Sequence, residues 1–294
     1  MKKEIFNIKV PYEKAGLPSD GLNPTLTAYT IDVSPEIGKK SRPAVIVCPG
    51  GGYEFVSDRE ADPIALRFAA FGIHAFVLRY SVVNKPFPTA LLEAASALAF
   101  VRKNAEQWDI NPNKIFICGF SAGGHLAASL ATLWDRDFVK NPLGFADEHK
   151  PNGAILAYPV IVSGEYAHEG SIRNIIGENP SKEKLELVSL EKQVSPKTPP
   201  VFIWHAADDG CVPVENTLFF TTALSKNKIP FESHIYPQGG HGISLCDDTT
   251  SGAECQYNEV CAEWFAKAVR FIKNSRGSMR YSTILSTIVN SAST

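Results

Sequence analysis

Three short stretches of this chain carry residue types suited to nucleophilic catalysis. The first is Cys118-Gly119-Phe120-Ser121-Ala122-Gly123-Gly124-His125, with a serine framed as Gly119-x-Ser121-x-Gly123. It follows the apolar run Lys114-Ile115-Phe116-Ile117-Cys118 and precedes an Ala/Leu-rich run over residues 126–134. That order predicts strand, abrupt turn and helix, with the Ser121 hydroxyl exposed on a strained elbow beside a helix N-terminus. Flanking glycines keep side chains out of so tight a turn and supply permissive backbone angles. Serine is a poor nucleophile at neutral pH unless a base takes its proton and a carboxylate orients that base. On such an elbow the partners follow in the order Ser, Asp or Glu, His.

Two later segments fit that order, each directly after an apolar strand-like run. One is His205-Ala206-Ala207-Asp208-Asp209-Gly210-Cys211-Val212-Pro213, the other Pro237-Gln238-Gly239-Gly240-His241-Gly242. Of the seven histidines, His241 lies in a glycine-flanked loop that presents a ring freely, and it is the expected base. His74 falls inside a strand, and His149 and His168 fall in polar loops with no catalytic signal. His205 ends a strand and is expected to bond the 208–209 loop, and His125 is expected to be structural in the first turn of the elbow helix. Asp209 is preferred over Asp208 as the orienting acid, because it opens the turn Asp-Gly-Cys-Val-Pro that leads into the next helix; Asp208 reads as a surface or helix-capping carboxylate. Acyl transfer also needs donors aimed at a developing oxyanion. The N–H of Ala122 is one, and the Gly50-Gly51-Gly52 turn is the natural source of the others.

The elements that must position these groups alternate. Residues 1–43 read as two short strands and turns, and residues 44–48 as a strand covered on both faces. A helix over 62–71 follows, opened by Asp62-Pro63 and closed by Gly72. Then come a strand over 73–80, a long helix over 89–107, the elbow strand and helix, and a strand near 153–157. Residues 163–198 break the rhythm and read as a small lid-like insertion over the carboxyl edge of the sheet. A strand over 201–205, a helix over 215–227, a strand over 231–236 and a closing helix over 256–273 complete the pattern. Strands alternating with helices imply a mostly parallel sheet wrapped on both faces, with function at the carboxyl ends of its strands. The expected organisation is one domain over 1–275 and a polar tail over 276–294.

Composition narrows the function. A charged share of 20% and a formal net charge of -2 give no electrostatic footprint for nucleic acid or an anionic membrane. No run of about 20 apolar residues is present, so no transmembrane helix is expected. The N-terminus lacks the apolar stretch of a signal peptide, so the expected location is cytoplasmic; a chain stripped of a secretion leader would read the same. The six cysteines form no CxxC pair and read as small apolar residues in a reducing compartment, with a bridge from Cys246 to Cys255 or Cys261 left open. No HExxH, GxxxxGK[ST] or GxGxxG occurs, so no metal or cofactor is expected. The carboxylate pairs Asp208-Asp209 and Asp247-Asp248, and Glu60 near Asp62, suggest solvated loops more than a glycosidase pair, which sequence spacing does not reveal.

Over residues 25–273 the chain resembles the α/β-hydrolase superfamily, and within it the esterase/lipase branch that includes acetyl esterases and acetylxylan esterases. The resemblance rests on Pro49-Gly-Gly-Gly-Tyr53, Gly119-Phe-Ser-Ala-Gly-Gly-His125, Asp209-Gly-Cys-Val-Pro213 and Gly239-Gly-His-Gly242, in that order. It implies Ser121 as nucleophile, Asp209 as orienting acid and His241 as base, with Gly51, Gly52 and Ala122 forming the oxyanion hole. Pro49 replaces the histidine that many relatives carry before the glycine run, which points away from the hormone-sensitive-lipase branch and toward carbohydrate esterases. The activity implied is hydrolysis of short acyl esters, acetyl above all, on small molecules or oligosaccharides such as xylan fragments. Feruloyl esters, or amides and peptides, are the alternatives within the same fold.

Overall fold

The computed structural model describes residues 1–275 except 33, 35, 39, 40 and 84; the expected tail over 276–294 lies outside the described residues. Its centre is β3 (Arg42–Cys48), whose side chains are buried on both faces. Ala44, Ile46 and Cys48 join one core cluster and Val45 and Val47 the other. This is the two-residue period of a strand covered on both sides. The remaining strands are β1 (Lys2–Asn7), β2 (Thr25–Thr30), β4 (His74–Arg79), β5 (Ile110–Phe120), β6 (Gly153–Ala157), β7 (Val201–Ala206) and β8 (Phe231–Tyr236). They form an eight-stranded sheet in the order β1-β2-β4-β3-β5-β6-β7-β8. The β1–β2 and β2–β4 pairs are antiparallel, and every pair from β4 to β8 is parallel. The "mostly parallel" expectation holds, with the N-terminal strands supplying the antiparallel edge.

Helices cover both faces. On one lie α1 (Asp62–Ala70) and the closing helix α8 (Glu259–Asn274). Cys261, Trp264, Phe265, Ala268, Val269 and Ile272 of α8 are buried, which is the helical spacing of an apolar stripe. Its first turn is capped by Asn258, whose side chain accepts from Cys261 N at 3.0 Å. On the other face lie α2 (Thr89–Lys103), α3 (Ser121–Leu133) and α7 (Glu215–Lys226). Every residue of α3 is buried, as its Ala/Leu/Gly composition requires. All six cysteines are free.

Two helices have no counterpart in the sequence reading. The first is α4 (Asp137–Leu143), which contains Pro142 and ends on left-handed Gly144. The second is α5 (Glu169–Ile176), inside the insertion and capped by the side chain of His168 rather than by a Ser, Thr, Asp or Asn. The insertion also holds a second short helix, α6 (Lys182–Val188), capped by the Ser181 side chain. The α1 N-cap position is Ala61, and Asp62 is already the first helical residue.

The insertion is rooted by one buried side chain. Asn216, at the start of α7, accepts from Ile161 N at 2.8 Å and Val162 N at 3.0 Å through Oδ1. Its Nδ2 donates to Tyr166 O and Pro213 O, both at 2.9 Å. Four backbone groups are thereby bonded by one amide, and Ile161 N, Val162 N and Tyr166 O would be orphaned without it, which is costly for buried polar groups. Asn216→Ala is expected to lower unfolding stability by about 3 kcal/mol or more, read as a lower urea midpoint at unchanged slope.

Candidate active site

Ser121 follows β5 without a linking residue and opens α3, with φ at +52°. A non-glycine residue in the left-handed region is strained and persists only where its surroundings hold it there. The surroundings do so by leaving no room elsewhere. A methyl group on Gly119 would sit 2.0 Å from Gly123 O, one on Gly123 2.1 Å from Cys48 O, and one on Gly124 2.7 Å from Pro159 Cβ. These glycines let α3 press against the carboxyl end of β3, which brings Gly50 against Phe120 O and the Ser121 side chain.

From the far edge of the sheet, the loop after β8 brings in His241 and the loop after β7 brings in Asp209. Ser121 Oγ lies 2.8 Å from His241 Nε2, and His241 Nδ1 lies 2.7 Å from Asp209 Oδ2. An ionised carboxylate only accepts, so Nδ1 carries the imidazole proton and donates it to Asp209; Nε2 is then the acceptor of the serine hydroxyl proton. The other carboxylate oxygen, Oδ1, accepts from Cys211 N and Val212 N, both at 2.9 Å. Burial by itself would raise the Asp209 pKa. Hydrogen bonds from His205 and His241, the proximity of His241 and the Val212 N–H outweigh it, and the carboxyl group is held well below the ordinary aspartate range.

The glycine turn runs through positive-φ backbone. Gly51 and Gly52 have φ of +125° and +65°, and a methyl group on Gly51 would fall 2.2 Å from Phe55 O. Gly50 N is engaged, donating to Glu60 Oε2 at 2.8 Å. Among the described residues the N–H groups of Gly51, Gly52 and Ala122 have no hydrogen-bond acceptor.

Several residues around this centre carried no signal in the sequence. Glu60, read there as a solvated carboxylate, is buried. While Oε2 holds Gly50, its Oε1 accepts from Tyr158 Oη at 2.6 Å, and that hydroxyl accepts from Ser244 N at 2.9 Å. The Tyr158 ring also stands edge-on to the His241 imidazole, with centroids 5.0 Å apart. One carboxylate thus ties the glycine turn to the loop that carries His241. Asp208 caps that same loop, not a helix: its Oδ1 accepts from Gly239 N at 2.8 Å and Gly240 N at 2.9 Å.

The histidines sort by their partners. His125 is fully buried between Tyr53 Oη and Val188 O, each at 2.9 Å, and burial lowers its pKa to about 4. It is structural, as expected, and it steadies the tyrosine that ends the glycine turn. His168 is not a bystander in a polar loop. It caps α5 through Ser171 N, and burial, then the proximity of His241, lower its pKa. From the same helix Asn174 Nδ2 donates to Gly52 O at 2.9 Å. A cavity of about 600 Å³ between α5, α6 and Pro86–Pro88 lies beyond this contact, and Ser121, Asp209 and His241 are not among its walls. Among the described residues no cluster of His, Cys, Asp or Glu could hold a metal ion, and no helix is long and apolar enough to cross a membrane.

An elbow serine, a histidine from the last strand loop and glycine-turn donors at the carboxyl edge of such a sheet define an α/β hydrolase. The chain belongs to the BD-FAE family, whose model matches residues 31–224. It is 41% identical over 257 residues to the endo-1,4-beta-xylanase B of Butyrivibrio fibrisolvens, covering 84% of this chain and 40% of that protein. It is 32% identical over 208 residues to the acetylxylan esterase of Xylanibacter ruminicola, covering 69% and 41%. The chain therefore spans about two-fifths of the length of these curated relatives. Among solved structures it resembles the acetyl ester-xyloside bifunctional hydrolase from Caldicellulosiruptor lactoaceticus, with a TM-score of 0.76 and 36% identity over 91% of this chain and 95% of that one. The carboxylesterase Cest-2923 from Lactobacillus plantarum gives a TM-score of 0.80 at 26% identity, covering 93% and 97%. Its sequence relatives and structural neighbours include esterases.

Two outcomes test this arrangement. Because the Asp209 pKa is lowered by folding, the unfolded chain binds more protons in acid, and the stabilisation is present above the unfolded value of about 3.9 and lost as pH falls through the folded one. The stability gap between wild type and Asp209→Asn, read by urea unfolding, is expected to be widest near neutrality and to narrow below about pH 4. Glu60→Gln offers one acceptor where two are needed, and is expected to lower the kcat for an aryl acetate by about tenfold at nearly constant KM.

Proposed function

We propose that the protein is a serine esterase that removes short acyl groups, acetyl in particular, from carbohydrate esters such as acetylated xylan fragments. The observation that carries this reading is the unbroken chain from Ser121 Oγ through His241 to Asp209, at 2.8 and 2.7 Å. As the Ser121 oxygen attacks the ester carbonyl, its proton passes to His241 Nε2, and Asp209 stabilises the imidazolium through Nδ1–H. The N–H groups of Ala122, Gly51 and Gly52 receive the oxyanion, each such donor contributing about 2.7–4 kcal/mol in the transition state. Collapse expels the alcohol, which takes the proton from His241. Water, deprotonated by the same imidazole, then attacks the acyl-serine, and the carboxylic acid leaves with Ser121 restored.

The acyl and alcohol preferences rest on relatives. An acetylxylan esterase and an acetyl ester-xyloside hydrolase are both similar to this chain at more than 30% identity. The compact insertion with its two short helices, α5 and α6, supports a small acyl group over a long one.

Hydrolysis of p-nitrophenyl acetate by wild type and by Ser121→Ala tests the mechanism. The variant is expected to lose about 10⁴-fold or more in kcat, and equal rates would refute the reading. Acetylated xylo-oligosaccharides, feruloyl esters and aryl amides assayed side by side test the substrate class. Faster turnover of either alternative would displace the acetyl assignment.

A further inference from the structure

His205 is fully buried at the carboxyl end of β7 and takes no part in the proton transfers described above. Its Nε2 lies 2.9 Å from Val212 O and 3.2 Å from Asp209 Oδ2, the same oxygen that receives His241 Nδ1. Its Nδ1 lies 2.8 Å from the hydroxyl of Thr217 on α7. A carbonyl and a carboxylate only accept, so a His205 proton sits on Nε2, shared between them, while Nδ1 pairs with the Thr217 hydroxyl. Asp209 thus accepts four N–H groups, two on each oxygen, and one oxygen is divided between two imidazoles.

We infer that His205 is a positioning residue that sets the basicity of His241 by competing with it for Asp209 Oδ2. A second donor draws electron density from that oxygen and fixes its lone pairs, so the carboxylate stabilises the His241 imidazolium less than an unshared one would. The catalytic imidazole is then a weaker base, and it stays neutral and able to accept the serine proton at lower pH. Thr217 holds the ring that makes this contact. The other groups facing the pair are His168 at the head of α5, Tyr158 after β6 with its hydroxyl on Glu60, Asp208 beneath Gly239 and Gly240, Arg59, which donates to Gly242 O at 3.0 Å, and the Cys211 thiol beside Asp209. None of these contacts is removed by a change at position 205. The lowered pKa of Asp209, to which the His205 bond contributes, agrees with this role.

The inference rests on the serine-esterase reading, and the test separates the two. The pH dependence of kcat/KM for an aryl acetate is measured for wild type, His205→Gln, which keeps an N–H donor, and His205→Leu, which has none. His205→Leu is expected to move the acid limb up by about half a pH unit or more and to shift the His241 Nδ1–H proton resonance. His205→Gln is expected to restore both toward wild type. An unmoved limb in folded His205→Leu, or equal limbs in Leu and Gln, overturns the inference. Should His205→Leu fail to fold, Thr217→Val decides: a smaller shift of the limb in the same direction supports the role, and no shift overturns it. Labelling of wild type by a fluorophosphonate, lost in Ser121→Ala, keeps the esterase reading standing whichever way the limb moves; absence of labelling removes both.

Discussion

The close approach of the nucleophile helix to the end of β3 is the constraint on which the site depends. With Gly123 against the carbonyls of Cys48 and Pro49, α3 meets the sheet at backbone distance, and no side chain could take its place without pushing the helix away. The same close approach brings Gly50 against the Ser121 side chain, where an added methyl group would lie 3.0 Å from Ser121 Cβ. The elbow serine and the start of the glycine turn are therefore placed together. Burial of all of α3 keeps that contact from loosening.

The second half of the site comes from β7 and β8, at one edge of the sheet, with β5 and β6 between them and the central β3. Two buried carboxylates organise it. Asp209 is saturated with donors, so it can stay ionised without water. Glu60 spans the gap between halves, holding Gly50 on one side and, through Tyr158, the Ser244 backbone on the other. Buried polar groups are stabilising only when fully partnered, and both of these are.

Much of this was legible in the sequence because the functional loops follow strands whose apolar runs are hard to mistake. The parallel sheet, the elbow and the glycine turn all announce themselves through composition at fixed places. What stayed hidden depends on contacts across the chain. Glu60 lies in a charged stretch, Asp58-Arg59-Glu60-Ala61-Asp62, and nothing local says that its side chain turns inward to meet Tyr158. Asp208 resembles a surface residue until its partners, more than thirty positions later, are known. His168 gives no local signal because α5 is short, contains Gly170 and begins with an unusual cap. Pro142 concealed α4 in the same way, by contradicting the propensity of the helix that holds it.

The bond from Asn174 to Gly52 O gives the insertion a double life. The inserted segment bonds the glycine turn through Asn174, and the histidine at its head lies within electrostatic reach of His241. Exchanging this insertion would therefore disturb the backbone at Gly52 and the surroundings of His241 together.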